Sequence, residues 1–244
     1  MKKVLCLIAA MSMALSMAAC GEKADDKLTM ATNATFPPYE FYENETIVGI
    51  DAEIAAKIAE KIGMELEIVD TEFGSIIAGV QSGKYDMGMA GLTVTDERKE
   101  SVNFTASYAT GIQSIIVPEG SAIKSLDDLA GKKIGVQQDT TGHIYAADEF
   151  GDDMVSPYNK GTDAVAALVA GKVDCVIIDN QPAKSFVAAN EGLAILDTDY
   201  AVEDYAICVA KENTELLEKV NAALEELIAD GTVQTIIDKY ISAE

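Results

Sequence analysis

GVQSGKYDMGMAG (79–91) and ALVAGKVDCVIID (167–179) are one unit written twice, 88 residues apart. Each copy runs from a helix end through a Gly-Lys-x-Asp turn into an apolar strand. Each closes on a residue of special character, Gly91 in the first and Asp179 in the second. KKIGVQQ (132–138) supplies a first strand for the second unit as LTMATN (28–33) does for the first. The repetition implies two α/β units with Gly91 and Asp179 at equivalent sheet positions. Ligands of such folds bind beyond the carboxyl ends of strands, often in a cleft between lobes.

The flanking sequence extends this pattern. Ile50, Ile54, Ile58 and Ile62 recur every four residues and predict a helix over 50–62, with Gly63 as its stop. MELEIVD (64–70) reads as a strand, Ser75 to Gln81 as a helix and YDMGMAGL (85–92) as a strand. Strand–helix alternation predicts parallel sheets covered by helices on both faces. QSIIVP (113–118) and YAICVAK (205–211) are β-rich runs at the two points where the chain would cross between lobes. Leu216, Leu217, Val220, Leu224, Leu227 and Ile228 form one stripe of a helix over 214–230, with Thr214 as N-cap and Gly231 as stop. Two crossings return this helix to the first lobe. The expected division is therefore 28–113 with 206–244, and 118–200, joined by hinge strands at 113–118 and 201–211.

At the amino end, Lys2 and Lys3 precede an apolar run from Val4 to Ala19. That run is shorter than the roughly 20 residues a membrane-spanning helix needs, so residues 1–19 read as an export signal. Met17-Ala18-Ala19-Cys20 has the small residues before a cysteine that lipoprotein processing requires, although Met17 stands where leucine is customary. Cys20 is therefore the expected lipidation site, and residues 20–27 the tether that follows it. An extracytoplasmic protein anchored to the cell membrane is expected.

Loss of Lys2 and Lys3 takes the net charge from −23 to −25. Such a chain repels nucleic acid and anionic headgroups, and no basic stripe interrupts it. Of four cysteines, Cys6 leaves with the signal, and Cys175 and Cys208 lie in apolar runs, where buried thiols or a disulfide are both open. His143 is the only histidine and no Cys/His spacing resembles a zinc site. No cofactor or metal is expected, and triad hydrolases are disfavoured.

Arg98 is the only arginine among eighteen basic residues. A planar, permanently charged guanidinium able to grip a carboxylate with two parallel hydrogen bonds is thus kept at one place, just after a strand end in AGLTVTDERKESVNF (90–104).

From Leu28 to Ile241 the chain resembles the family-3 bacterial extracellular solute-binding proteins, which bind polar amino acids for ABC importers. The resemblance is carried by ATNATFPPYEF (31–41), IVGIDAEIAAKIAEKIGMELEI (47–68), AGLTVTDERKESVNF (90–104), GKKIGVQQDTTG (131–142) and VDCVIIDNQPA (173–183). It implies a two-lobed, type II periplasmic-binding-protein-like α/β fold with the ligand cleft between the lobes. It implies that Arg98 holds the ligand carboxylate, helped by backbone N–H groups near Thr93 and near Thr140 and Thr141, where a helix starts. Asp179, the Gly91 carbonyl and the Thr93 hydroxyl would take the ammonium, and Phe36 and Phe73 would flank the side chain. Asn33 occupies a position acidic in some relatives selective for basic amino acids. Asp139 or Glu72 would suit a cationic side chain, and Gln137 or Gln138 an amide, so glutamine, basic amino acids and cystine all stay open. The implied partners are the amino acid, a membrane permease and, through the lipid, the membrane itself, with the protein a monomer. A cyclohexadienyl or arogenate dehydratase, using Asp139 or Glu72 as acid, is the enzymatic alternative on this fold; a chemosensory ligand-binding domain is another.

Overall fold

The computed structural model describes residues 27–198 and 200–241. The proposed signal, Cys20 and all but the last residue of the tether lie outside the described residues. Lys27 is already strand: it opens β1 (Lys27–Thr32) and pairs in register with Glu65.

In chain order β1 is followed by a small three-stranded sheet of β2 (Thr35–Phe36), β3 (Glu40–Glu43) and β4 (Thr46–Val48). Next come α1 (Ile50–Ile62), β5 (Glu65–Asp70), α2 (Ile76–Gln81), β6 (Met87–Gly88) and α3 (Asp96–Ser101). A long strand, β7 (Val102–Pro118), leads to β8 (Ile134–Gln137), α4 (Thr141–Phe150), β9 (Val155–Tyr158), α5 (Gly161–Val169), β10 (Cys175–Asp179), α6 (Asn180–Ala189) and β11 (Leu193–Ile195). A second long strand, β12 (Ala201–Ala210), then precedes α7 (Thr214–Ala229) and α8 (Thr232–Tyr240).

The two repeated units take equivalent places. In the first, β1 lies parallel between β5 and β6, with Met30 opposite both Ile68 and Met87. In the second, β8 lies parallel between β9 and β10, with Ile134 opposite Val155 and Cys175. Neither parallel set is an independent sheet. The antiparallel strands β12 and β7 stand between them, giving the order β5-β1-β6-β12-β7-β10-β8-β9 with β11 added on β7. The chain is thus a two-lobed α/β fold whose halves are joined by these two strands.

Burial on both faces explains the sequence of the central strands. Along β10, Cys175 and Ile177 enter one apolar cluster while Val176 and Ile178 enter another, so the strand reads as an unbroken hydrophobic run. In β1, Leu28 and Met30 face one cluster and Ala31 the other. Helix α1 ends as expected, with Gly63 in the left-handed conformation at φ 74°. Helix α7 packs on α1 and β7, so the C-terminal helices do return to the first half.

Three local expectations are corrected. The N-cap of α7 is Asn213, whose side chain accepts from the Leu216 N–H at 3.3 Å, rather than Thr214. The helix expected at 75–81 begins as a 3₁₀ turn over Phe73–Ser75. The strand expected at 85–92 is reduced to Met87–Gly88, because the backbone turns at Gly91 (φ 52°) and Thr93 pairs instead with Tyr205. Cys175 and Cys208 are separate buried free thiols, each pushed up to about 12 by burial.

Candidate functional site

The ends of the two repeats meet. Gly91, leaving β6, and Asp179, ending β10, line one small cavity together with Asn33, Phe36, Phe73, Thr93, Thr140 and Thr141. Eight residues singled out from sequence therefore converge, contributed by both halves of the fold.

Arg98 lies beside this cavity rather than in its wall. Short helix α3 holds it: the Thr95 hydroxyl caps the helix by accepting from the Arg98 N–H at 3.1 Å. The guanidinium then reaches across the gap. Nη1 donates to the Thr93 carbonyl at 2.8 Å, Nη2 donates to the Asp139 carbonyl at 3.2 Å, and the group stacks 5.4 Å from the Phe73 ring centre. Burial draws the guanidinium pKa below its ordinary value, with Glu203 foremost among the groups opposing that. Two further contacts span the halves: Gln137 Nε2 donates to Asn33 Oδ1 at 3.0 Å, and the Thr93 and Thr141 hydroxyls lie 3.5 Å apart.

On the second half, Thr140 caps α4. Its hydroxyl accepts from the His143 N–H at 3.2 Å and donates to the Gln137 carbonyl at 2.8 Å. The free amide groups and positive end of a ten-residue helix thus open beside the cavity, an arrangement that favours an anionic group. Asp179 supplies the opposite sign. It is 7% exposed. One oxygen accepts from the Tyr205 hydroxyl and the other from Gln113 Nε2 at 2.9 Å. Burial pushes its carboxyl up to about 7; the Tyr205 and Gln113 hydrogen bonds pull against this, and nearby Glu203 adds to it.

Gly91 is shaped by its neighbours. Its N–H donates to Asp51 Oδ2 at 2.9 Å, and a Cβ there would sit 2.9 Å from Cε1 of Phe36, at a positive φ that L side chains rarely adopt.

Some expected residues lie elsewhere. Gln138 is exposed, and its amide points to Asp139 at 3.4 Å; Gln137, one residue earlier, is the buried glutamine on the cavity. Asp139 and Glu72 are exposed and do not line the cavity. Asp139 occupies a left-handed turn (φ 63°) and lines an adjoining depression with Arg98 and Phe73. Asn33 is on the cavity, but its amide is engaged by the Thr71 carbonyl, the Thr35 hydroxyl and Gln137. Sequence reasoning missed Glu40, which lines the cavity, and the supporting residues Asp51, Gln113, Glu203 and Tyr205. The Glu40 signal was present in PPYEF as an acid inside an apolar run, a pattern rare without a buried role.

No group of three or more His, Cys, Asp or Glu able to hold a metal is present among the described residues, and none of their helices is long and apolar enough to cross a membrane.

Comparison with known proteins agrees with this architecture. Residues 28–243 match the profile described as bacterial extracellular solute-binding proteins, family 3. The arginine-binding extracellular protein ArtP of Bacillus subtilis is 32% identical, with all of both chains covered. An ancestral arginine-binding protein solved with glutamine superposes with a TM-score of 0.85 at 39% identity, covering 89% of this chain and 99% of that one. The arginine-, lysine-, histidine-binding protein ArtJ of Geobacillus stearothermophilus gives a TM-score of 0.85 at 34% identity, covering 89% and 96%.

Proposed function

The chain belongs to the bacterial extracellular solute-binding proteins, family 3, and we propose that it captures a free polar amino acid and delivers it to the permease of an ABC importer. The observation that carries this is the cavity bounded by Gly91 and Thr93 from one half and by Thr140, Thr141 and Asp179 from the other. A zwitterion matches its two poles. The ligand carboxylate would meet Arg98 and the amide groups at the start of α4, and the ammonium would meet Asp179, the Gly91 carbonyl and the Thr93 hydroxyl. Because these groups come from both halves, recognition is completed only when the halves close. The residues from 28 to 113 and from 206 onward act as one body and 118–200 as the other, moving about 113–118 and 201–211. Glutamine, basic amino acids and cystine are the ligand class.

Residues 1–20 support export and attachment through lipid on Cys20, with the monomeric receptor tethered outside the cytoplasm. Binding and handover involve no covalent chemistry. The exposed positions of Asp139 and Glu72 leave a dehydratase without the acid proposed for it.

A thermal-shift screen of residues 21–244 against the twenty amino acids, cystine and ornithine tests the assignment. A selective ligand at a thousandfold excess over Kd stabilises the folded state by about 4 kcal/mol. A clear response to one or a few polar amino acids is expected; no response, or dehydration of prephenate or arogenate, would refute it.

A further inference from the structure

Among the described residues, three that are not glycine take a positive φ: Asn44, Glu45 and Asp139. Asn44 and Glu45 form the two-residue turn of the β3–β4 hairpin, where that conformation matches the twist of the strands. Asp139 has no hairpin to explain it; it stands in the turn from β8 into α4, at φ 63°. Such a residue persists where its surroundings over-determine it. Here they come from both halves. The Asp139 carbonyl accepts from Arg98 Nη2 at 3.2 Å, and its carboxylate lies so close over Gly74 that a Cβ there would collide with Oδ2. The Asp139 N–H donates to Nδ1 of His143 at 3.2 Å. His143, the only histidine of the chain, is half-buried and lines a depression with Arg98 and Asp139, outside the cavity.

We propose that His143 is a positioning residue: its neutral imidazole holds the Asp139 turn against Arg98, and protonation of the ring releases that turn and weakens ligand binding. This rests on the amino-acid-receptor assignment and adds an acid-sensitive lock to it. An imidazole nitrogen accepts an N–H only while its lone pair is free, so the contact requires hydrogen on Nε2 alone. A proton taken from solvent at Nδ1 turns the acceptor into a donor and sets one N–H against another. The remaining hydrogen bonds of the turn come from Thr140, whose hydroxyl donates to the Gln137 carbonyl and accepts from the His143 N–H, and these do not titrate.

The charges around the ring set the direction. Arg98, buried on α3, brings its positive charge to the depression when it grips the turn. Glu97 on α3 and the Asp139 carboxylate are negative but exposed, so solvent screens them. Beneath α4, β8 carries no charged side chain and β9 only Tyr158, while Asp179 on β10 is held by Tyr205 and Gln113. On α4 itself Tyr145 engages Glu203, and Asp148 and Glu149 lie more than a turn away, toward the end followed by Asp152 and Asp153. The grip of Arg98 on the turn therefore disfavours a charged ring, and by linkage a charged ring disfavours closure over the ligand.

Two variants and one spectrum test this on residues 21–244 without a histidine tag, a chain that contains every described residue. His143→Asn keeps an acceptor near the place of Nδ1 but cannot become charged; His143→Phe keeps the bulk of a ring and has no acceptor. Titration calorimetry with L-arginine, L-glutamine and L-cystine is run between about pH 7.5 and about pH 5.5, the range in which imidazoles change charge. Asp179 contributes its own pH dependence to all three proteins, so the comparison between them isolates His143. Over this range the parent is expected to lose about three- to tenfold more affinity than His143→Asn, which matches it at the upper pH. His143→Phe is expected to bind about three- to tenfold more weakly than the parent at the upper pH, with the same shallow profile as His143→Asn. Independently of any ligand, NMR of the isotope-labelled ring is expected to show the Nε2–H tautomer at the upper pH, and one histidine makes the signal unambiguous. A ring with hydrogen on Nδ1 there, equal pH profiles for the parent and His143→Asn, or full affinity in His143→Phe would overturn the proposal alone. A protein that binds none of the three amino acids would overturn the receptor assignment, while the tautomer still decides whether the imidazole holds the turn.

Discussion

Gln113 donates from Nε2 to Asp179 Oδ2 at 2.9 Å, tying the acid at the end of β10 to a strand that runs between the two halves. The same nitrogen donates to Glu203 Oε2 at 2.9 Å on the second crossing strand, and Gln113 itself pairs with Ala201 there. The acid expected to read the ligand ammonium is thus fastened directly to both crossings.

Replacing Gln113 by Leu removes the donor to Glu203 Oε2 and one of the two donors to Asp179, which keeps the Tyr205 hydroxyl. A loss of about 1–3 kcal/mol is expected for a buried polar group left unsatisfied. Thermal unfolding reads this as a lower Tm, roughly 2–4 °C per kcal/mol for a chain of this size. A Tm unchanged from the parent would show the amide to be dispensable.

Arg98→Lys preserves the charge but not the fork that spans Thr93 and Asp139. Amino-acid affinity is expected to fall about 10- to 100-fold in titration calorimetry, and further in Arg98→Ala. Retained affinity in Arg98→Ala would remove the guanidinium from carboxylate recognition.

Asp179 gives a pH dependence whose sign follows from its raised pKa, about 7 in the fold against about 4 when unfolded. Between those values the unfolded chain loses its proton while the folded one keeps it. The folded state binds more protons, so this group's contribution makes stability fall as pH rises through that window. Asp51, at about 6, acts in the same direction over the lower part of it. In ligand-free protein, Asp179→Asn is expected to flatten the decline of Tm between pH 5 and 7.5. A slope identical in the variant would show that Asp179 ionises normally.

Gly91→Ala adds a Cβ 2.9 Å from the Phe36 ring, at a left-handed φ. Overpacking of this kind costs about 1–3 kcal/mol, and it also displaces a ring that lines the cavity. Both Tm and amino-acid affinity are expected to drop, the latter by calorimetry. Unaltered affinity with a lowered Tm would mean that Phe36 does not contact the ligand.

Local pattern carried much of this protein. The four-residue recurrence of isoleucine yielded α1 with its bounds at 50 and 62, and Gly63 stops it by adopting the left-handed conformation that glycine tolerates. The duplicated unit marked Gly91 and Asp179 as equivalent, since the helix, the turn and the first residue of the strand hold the same register in both copies. The isolation of Arg98 as the only arginine singled it out, and the family resemblance implied its carboxylate role.

Where residues distant along the chain had to be brought together, sequence was silent. Alternation could not say which of Gln137 and Gln138 turns inward, because β8 stops at Gln137 and the next residue enters a turn. Glu40 stood in PPYEF as an acid among apolar residues, which hints at burial but not at its neighbours. Its meaning depends on Asp51 eleven residues on, on Tyr108 from β7 and on Asp179 from β10, which only packing assembles.

From its letters alone this chain declared two repeated α/β units, the strand ends where a site would form and a single arginine, because periodicity and composition are local properties. Tertiary structure alone decided that the two crossing strands pair antiparallel and merge both parallel sets into one sheet, that Gln113 fastens Asp179 to both, and that an acid without a donor faces the cavity. Those outcomes rest on burial and on hydrogen bonds between residues tens of positions apart, and desolvation, which sets their charge, exists only once the chain has packed.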